Sequence, residues 1–278
     1  MKSSKDYLIG LQLYSVRSDM ARDFEGTLKA VSEMGYNGVE FAGLYGRSAA
    51  EVKALCEKYG LDPISAHVPL AEMLGSANET FETYKEIGCK YIAVPYIGAD
   101  ERPLGANYDD TVDAIASLGK LASSMGLVLM YHNHDFEFVR LPNGEYGYDD
   151  MFSRISGDHL TAEMDLCWVK VAGEDPGEYL KKYKDRIPVV HFKDFVMAGS
   201  KAENMYNLIG LDEVKNEDTE SFSFRPVGYG CQNVPYLLDC LEGSVCKWII
   251  IEQDEPSMNK SRLECAKMSI DYMKTIVK

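Results

Sequence analysis

A chain of 278 residues with 46% hydrophobic residues can bury the core of one large α/β domain or two small ones. Its formal charge of −15 and pI near 4.8 repel phosphate backbones and anionic headgroups, which disfavours nucleic-acid and membrane-surface partners and favours a small molecule. No apolar stretch approaches the ~18 residues of a membrane span, and MKSSKDYLIGLQLYS lacks the apolar run and cleavage site of a signal peptide. The seven cysteines are scattered without a CxxC pair and read as reduced thiols. A cytoplasmic location is expected, with export left open for a natural protein whose leader has been trimmed.

Strand-length apolar runs alternate with stretches of helical period, the pattern of repeated βαβ units. The expected strands are 7–13, 38–41, 63–67, 91–94, 127–132, 161–165, 188–192 and 248–252. Several are apolar on both faces, as strands between a barrel interior and a helical layer must be. Between them, apolar residues recur at spacings of three and four, as in Phe24, Leu28, Val31 and Met34, then Val52, Leu55 and Tyr59. Helices repeatedly stop on a glycine just before the next strand, in MGYNGVEF, YGLDPIS, IGCKYIAV and MGLVLMY, where the left-handed turn redirects the chain. Eight such units predict a single (β/α)₈ TIM barrel spanning 1–278. The runner-up, a doubly wound open sheet, lacks any GxGxxG or GxxxxGK[ST] after a strand. The one long insertion, from Val196 to Phe224 after strand seven, reads as a surface loop over the catalytic face, where long loops act as lids.

The chemistry gathers at strand ends. His67 closes DPISAH, His132 and His134 close LVLMYHNH, and His191 closes IPVVHF, while Asp165 ends TAEMD and Glu252 ends KWIIIE. In a parallel barrel these ends converge on one rim. Side chains alternate faces, so Met130, His132 and His134 are expected on one face and Tyr131 and Asn133 on the other. Two imidazoles with Asp165, His191 and Glu252 make a mixed N/O set suited to one divalent metal ion, Mn²⁺, Co²⁺, Zn²⁺, Fe²⁺ or Mg²⁺. Taken singly, each of these residues is as well read as a structural histidine or a helix N-cap; the metal reading rests on their coincidence. Glu40, Gln12 and Tyr14 end strands two and one on the same rim.

The segments YHNHDFEF (131–138), EMDLCWVKVAGEDP (163–176), VVHFKDF (189–195) and IIIEQDE (249–255) keep one order and spacing over most of the chain, from IGLQLYSVR to the last helix. In this they resemble the xylose-isomerase-like TIM barrels, the sugar phosphate isomerase/epimerase superfamily. There a divalent metal is held by Glu, Asp, His and Glu from strands five to eight, so the resemblance implies Asp165, His191 and Glu252 as ligands. The strand-five glutamate aligns with His132. Either His132 is the fourth ligand, or His134 or Glu137 supplies it and His132 serves as acid/base.

The metal would act as a Lewis acid on a sugar carbonyl and its adjacent hydroxyl, acidifying the neighbouring C–H and stabilising an enediolate. His134, Glu137 and Glu252 are the candidate bases. Expected substrate contacts are His67, Glu40, Lys193 and Trp168, the last by stacking on a sugar's C–H face or else by packing under the loop. The expected activity is isomerisation or epimerisation of a carbohydrate. The alternative is a lyase or dehydratase acting on a keto-sugar, keto-inositol or 3-keto-glycoside at the same metal site, the direction taken by some relatives that share YHNH. A noncatalytic sugar-binding barrel is a further reading. The superfamily's DNA-repair endonucleases need more His/Glu ligands for a trinuclear zinc cluster than this chain offers. No basic cluster marks a phosphate pocket, and a homo-oligomer is left open.

Overall fold

The structure is a computed structural model that describes residues 7–197 and 222–277. Among the described residues ten strands follow in order: Leu8–Gln12 (β1), Gly38–Phe41 (β2), Asp62–His67 (β3), Tyr91–Val94 (β4), Val128–His132 (β5), Thr161–Asp165 (β6), Val189–Phe192 (β7), Asp194–Met197 (β8), Phe222–Arg225 (β9) and Trp248–Ile251 (β10). Eight of them close into a parallel barrel in the order β1-β10-β7-β6-β5-β4-β3-β2. Helices such as Phe24–Met34, Ala49–Tyr59, Leu70–Ile87 and Tyr108–Ser124 cover the outside. All four expected αβ corners form, with Gly35, Gly60, Gly88 and Gly126 at φ of 90°, 64°, 110° and 81°, a region open to glycine at no steric cost.

Two apolar layers hold the fold. The larger lies between strands and helices, where residues such as Leu11, Val39, Ile92, Leu129, Ala162 and Ile249 are sealed from water. The smaller plugs the barrel interior with Ile64, Tyr91, Ala93, Met130, Val189, Trp248 and Ile250. Gly10 lets this plug close, because a Cβ there would sit 2.5 Å from Ile64 Cδ1 and 2.7 Å from Ile250 Cδ1. Above the plug the same inward face turns polar, through Gln12, Glu40, Ser65, His132, Glu163 and His191, all buried.

The insertion after β7 departs from expectation at both ends. β8 and β9 pair as an antiparallel ribbon, with Asp194 opposite Arg225 and Met197 opposite Phe222. Phe195, Phe222 and Phe224 face Cys167, Trp168 and Val171 beneath it. Alternating Phe222, Ser223, Phe224 and Arg225 is a half-buried strand pattern, so the stem of the insertion is built like a sheet. The rest of the expected lid, 198–221, lies outside the described residues.

Candidate metal centre and active site

The carboxyl ends of β5, β6, β7 and β10 place four ligand-type side chains together. His132, Asp165, His191 and Glu252 each offer an atom within 4.8 Å of the others, and all four are buried. Register explains the meeting, since Asp165 pairs directly with His191 and β7 lies between β6 and β10. Asp165 also caps the helix Leu166–Val171, its Oδ1 accepting from the amides of Cys167 at 2.8 Å and Trp168 at 3.1 Å. That leaves Oδ2 facing inward without a hydrogen bond, its neighbours being Lys193 Nζ at 3.1 Å and His132 Nε2 at 3.7 Å. Asn133 ties β5 to β6 here: its Oδ1 accepts from Asp165 N at 2.9 Å and its Nδ2 donates to Asp165 O at 3.2 Å.

The group opens onto a cavity of about 360 Å³ lined by His67, His132, His134, Lys193, Glu252 and Asp254 on the polar side. Tyr14, Tyr84, Tyr96, Pro69 and Pro95 form the apolar wall. An apolar cleft with a few convergent polar groups is the usual form of a small-molecule site. Lys193 Nζ reaches Glu252 Oε2 at 2.8 Å and Asp165 Oδ2 and Asp254 Oδ2 at 3.1 Å each. Burial opposes its charge, but Asp165, Asp254 and Glu252 outweigh that and hold Lys193 well above the ordinary lysine range.

The histidines divide by environment. Burial, assisted by the charges of His191 and His67, pushes His132 down to about 4, against the pull of Glu163. Burial, with His132 and Lys193 nearby, holds His134 well below its ordinary value. Both rings are therefore neutral at pH 7, with a lone pair to offer a metal or a proton. Burial also opposes charge on His191, but Glu163 and Glu40 prevail and raise it well above its ordinary value, so a metal must displace a proton there. Glu252 is held well below the usual carboxylate range despite its burial, by Lys193 and His191. Asp254 is pushed up to about 7 by burial, Lys193 pulling the other way.

Three expected site residues lie elsewhere. Glu137 is fully buried away from the cavity, its Oε1 accepting from Tyr131 Oη at 2.7 Å and its Oε2 from His134 N at 2.8 Å. Burial raises its carboxyl to about 8, and it braces the turn after β5. Trp168, with no exposed surface, packs against Phe222, Phe224 and the His134 ring beneath the ribbon, so it offers no face for stacking a sugar. Glu40 lies below the cavity, accepting from Gln12 Nε2 at 2.8 Å and Ser65 Oγ at 2.5 Å and meeting His191 Nε2 at 2.7 Å. His134 follows the end of β5 and so is not in the expected strand alternation, yet its ring stays 5.4 Å from that of His132.

Two groups were not anticipated. Glu163, in the middle of β6, meets His67 Nε2 at 2.5 Å and joins a second close group with His67, His132 and His191. Its signal was present, because it sits two residues before Asp165 on the same inward face. Asp254 lies past β10, and its approach to Lys193 depends on a register that no local pattern encodes.

Eight parallel strands, closed and helix-wrapped, with side chains for chemistry at their carboxyl ends, define a TIM-barrel protein of the kind that builds small-molecule sites on that rim. Residues 28–276 match the Xylose isomerase-like TIM barrel family, and the chain belongs to it. It is 22% identical over 277 residues to an inosose dehydratase of Geobacillus kaustophilus (strain HTA426), covering 90% of this chain and 86% of that protein. In fold it is similar to the crystal structure of a sugar phosphate isomerase/epimerase from Parabacteroides distasonis ATCC 8503, with a TM-score of 0.74 at 18% identity over 100% of this chain and 98% of that one. A xylose isomerase-like TIM barrel protein from Mycobacterium smegmatis, in complex with magnesium, superposes with a TM-score of 0.67 at 14% identity over 100% and 98% of the two chains.

Proposed function

We propose that the chain is a divalent-metal-dependent enzyme that removes the proton beside the carbonyl of a keto-inositol or keto-sugar and expels the β-hydroxyl as water. The observation that carries this reading is the convergence of His132, Asp165, His191 and Glu252, of which His132 and Glu252 line a cavity that also holds Lys193, His134 and His67. The donor set fits a metal: two nitrogens and two carboxylate oxygens, buried, with Asp165 Oδ2 lacking a hydrogen bond. A metal held there supplies Lewis acidity for a bound carbonyl and its adjacent hydroxyl.

The protein's own groups do the rest. His134, neutral and in the cavity wall, is placed to accept the proton. Lys193, charged and held by three carboxylates, is placed to stabilise a developing oxyanion or donate to the departing hydroxyl. Tyr14, Tyr84 and Tyr96 present ring faces and edges to a polyol ring and limit water. Elimination leads over isomerisation or epimerisation because a curated relative covered over nearly its whole length is named inosose dehydratase. The isomerase reading uses the same proton abstraction, with return of the proton in place of loss of water.

Incubating the metal-loaded protein with keto-inositols and keto-sugars in D₂O separates the readings. Appearance of an unsaturated or diketo product supports elimination. Deuterium in an otherwise rearranged or inverted substrate supports isomerisation or epimerisation. Neither, from protein that carries its metal, refutes both for the substrates tried.

A further inference from the structure

His132 and His191 each stand between two clusters. On one edge, His132 Nε2 faces Asp165 Oδ2 at 3.7 Å and His191 Nδ1 faces Glu252 Oε2 at 3.0 Å. The other nitrogen of each ring meets a different carboxylate. His132 Nδ1 lies 3.4 Å from Glu163 Oε2, and His191 Nε2 lies 2.7 Å from Glu40 Oε1 and 3.4 Å from Glu163 Oε2. His67 Nε2 closes this lower cluster at 2.5 Å from Glu163 Oε2 and 3.2 Å from Glu40 Oε1. Both groups contain four ligand-type side chains. A neutral imidazole has one lone pair and one N–H, so it can serve a metal in only one of them.

A hydrogen-bond chain decides which. The amide of Tyr14 donates to Gln12 Oε1 at 2.9 Å, which fixes the orientation of the Gln12 amide. Gln12 Nε2 then donates to Glu40 Oε1 at 2.8 Å, so that oxygen is an acceptor. Facing an oxygen already fixed as an acceptor at 2.7 Å, His191 Nε2 keeps its proton; Nδ1 meets the Glu252 carboxylate at 3.0 Å, so the proton a metal displaces is the one on Nδ1. His132 has no such chain: its Nδ1 forms no hydrogen bond, but at 3.4 Å from Glu163 Oε2 it lies nearer a carboxylate than Nε2 does at 3.7 Å from Asp165 Oδ2, which favours the proton on Nδ1. Metal-bound histidines characteristically donate their second ring N–H to a carboxylate, which sets tautomer and ring orientation.

We propose that Glu40 and Glu163 are positioning residues that lock His191 and His132 in the tautomers that ligate through Nδ1 and Nε2, and that the lower cluster itself takes no metal. This rests on the reading of the upper group as the metal centre. Both carboxylates are fully buried and neither lines the cavity. Removal of either loosens the ring it holds without removing a ligand.

The test uses Co²⁺ as the probe, with wild type, Glu163→Gln, Glu40→Gln and Asp165→Asn proteins, circular dichroism checking that each is folded. Stoichiometry and affinity come from titration against a competing chelator, and ligand geometry from the visible Co²⁺ absorption spectrum. The expected result is one Co²⁺ per wild-type chain. Both glutamine variants should keep one Co²⁺, bound ~10–100-fold more weakly and with an altered spectrum, while Asp165→Asn loses most binding. Two Co²⁺ per wild-type chain, or loss of Co²⁺ in Glu163→Gln but not Asp165→Asn, overturns the assignment of the clusters. Unchanged affinity and spectrum in both glutamine variants overturns the positioning role while leaving the upper metal centre standing. No Co²⁺ in the wild type removes the proposed function as well.

Discussion

Asp194, beside Lys193, is where the ribbon and the loop 226–232 are tied together, and Asp194→Asn tests how firmly. The carboxylate is 1% exposed and accepts four backbone amides: Phe195 at 2.9 Å and Gln232 at 3.0 Å on Oδ1, Gly228 at 3.0 Å and Gly230 at 2.9 Å on Oδ2. Gly230 is needed for so close an approach, since a Cβ there would fall 2.2 Å from Asp194 Oδ1. Asparagine keeps one acceptor oxygen and turns an NH₂ donor toward the other pair, so two amides lose their partner. At ~1.5 kcal/mol for each hydrogen bond to a charged group, the loss is about 3 kcal/mol. For a chain of this size that lowers Tm by ~6–12 °C if the clamp unfolds with the whole barrel. If the ribbon and loop open on their own, the cost appears locally as faster amide exchange at Gly228, Gly230 and Gln232. Thermal melting and hydrogen exchange, read together on both proteins, cover the two routes. A Tm within 2 °C of wild type with unchanged exchange at those amides would refute the clamp.

Glu137→Gln should leave turnover within a few-fold of wild type, because both Glu137 oxygens are engaged by Tyr131 and His134 outside the cavity. Its carboxyl is raised to about 8 by burial against an ordinary 4.5, so it binds a proton in the fold that the unfolded chain releases. Its contribution to stability is full below pH 4.5 and lost as pH rises through about 8, so melting curves from pH 5 to 9 should fall more steeply for wild type than for the variant. A hundred-fold loss of turnover in Glu137→Gln would return it to the active site. Lys193→Met leaves Asp165, Glu252 and Asp254 without their shared cation, and the metal-free protein should lose ~3–5 kcal/mol of stability. Divalent metal should then bind more tightly than to wild type and recover much of that loss, while turnover falls ~10²–10⁴-fold. Weaker metal binding in Lys193→Met would show that the lysine supports the centre and does not compete with the cation.

The barrel was legible because its signals repeat: each strand, each helical stripe and each glycine corner has several copies, so errors at single boundaries do not change the count. The ends of the strands were equally open, since a histidine or acid closing an apolar run violates the pattern around it. What stayed hidden depends on depth and register. Trp168 and Glu137 carry chemically suggestive side chains close in sequence to true cavity residues, and only packing shows that one lies under the ribbon and the other supports the turn holding His134. Asp254 becomes visible only when β10 and β7 are aligned and Lys193 is seen to reach it at 3.1 Å.

Glu163 is the most instructive omission. Alternation along β6 puts it on the inward face with Asp165, one layer closer to the apolar plug, and an unpaired acid there would cost far more than the fold can absorb. An acid at that depth therefore had to have cationic or donor partners on neighbouring strands, and among the described residues the titratable groups that reach it are the same histidines at the ends of β3, β5 and β7. The rule that active sites form at strand ends concerns the layer that meets substrate. The layer below is where ring orientation and proton position are decided, and its residues can be inferred by following each inward-facing acid down its strand.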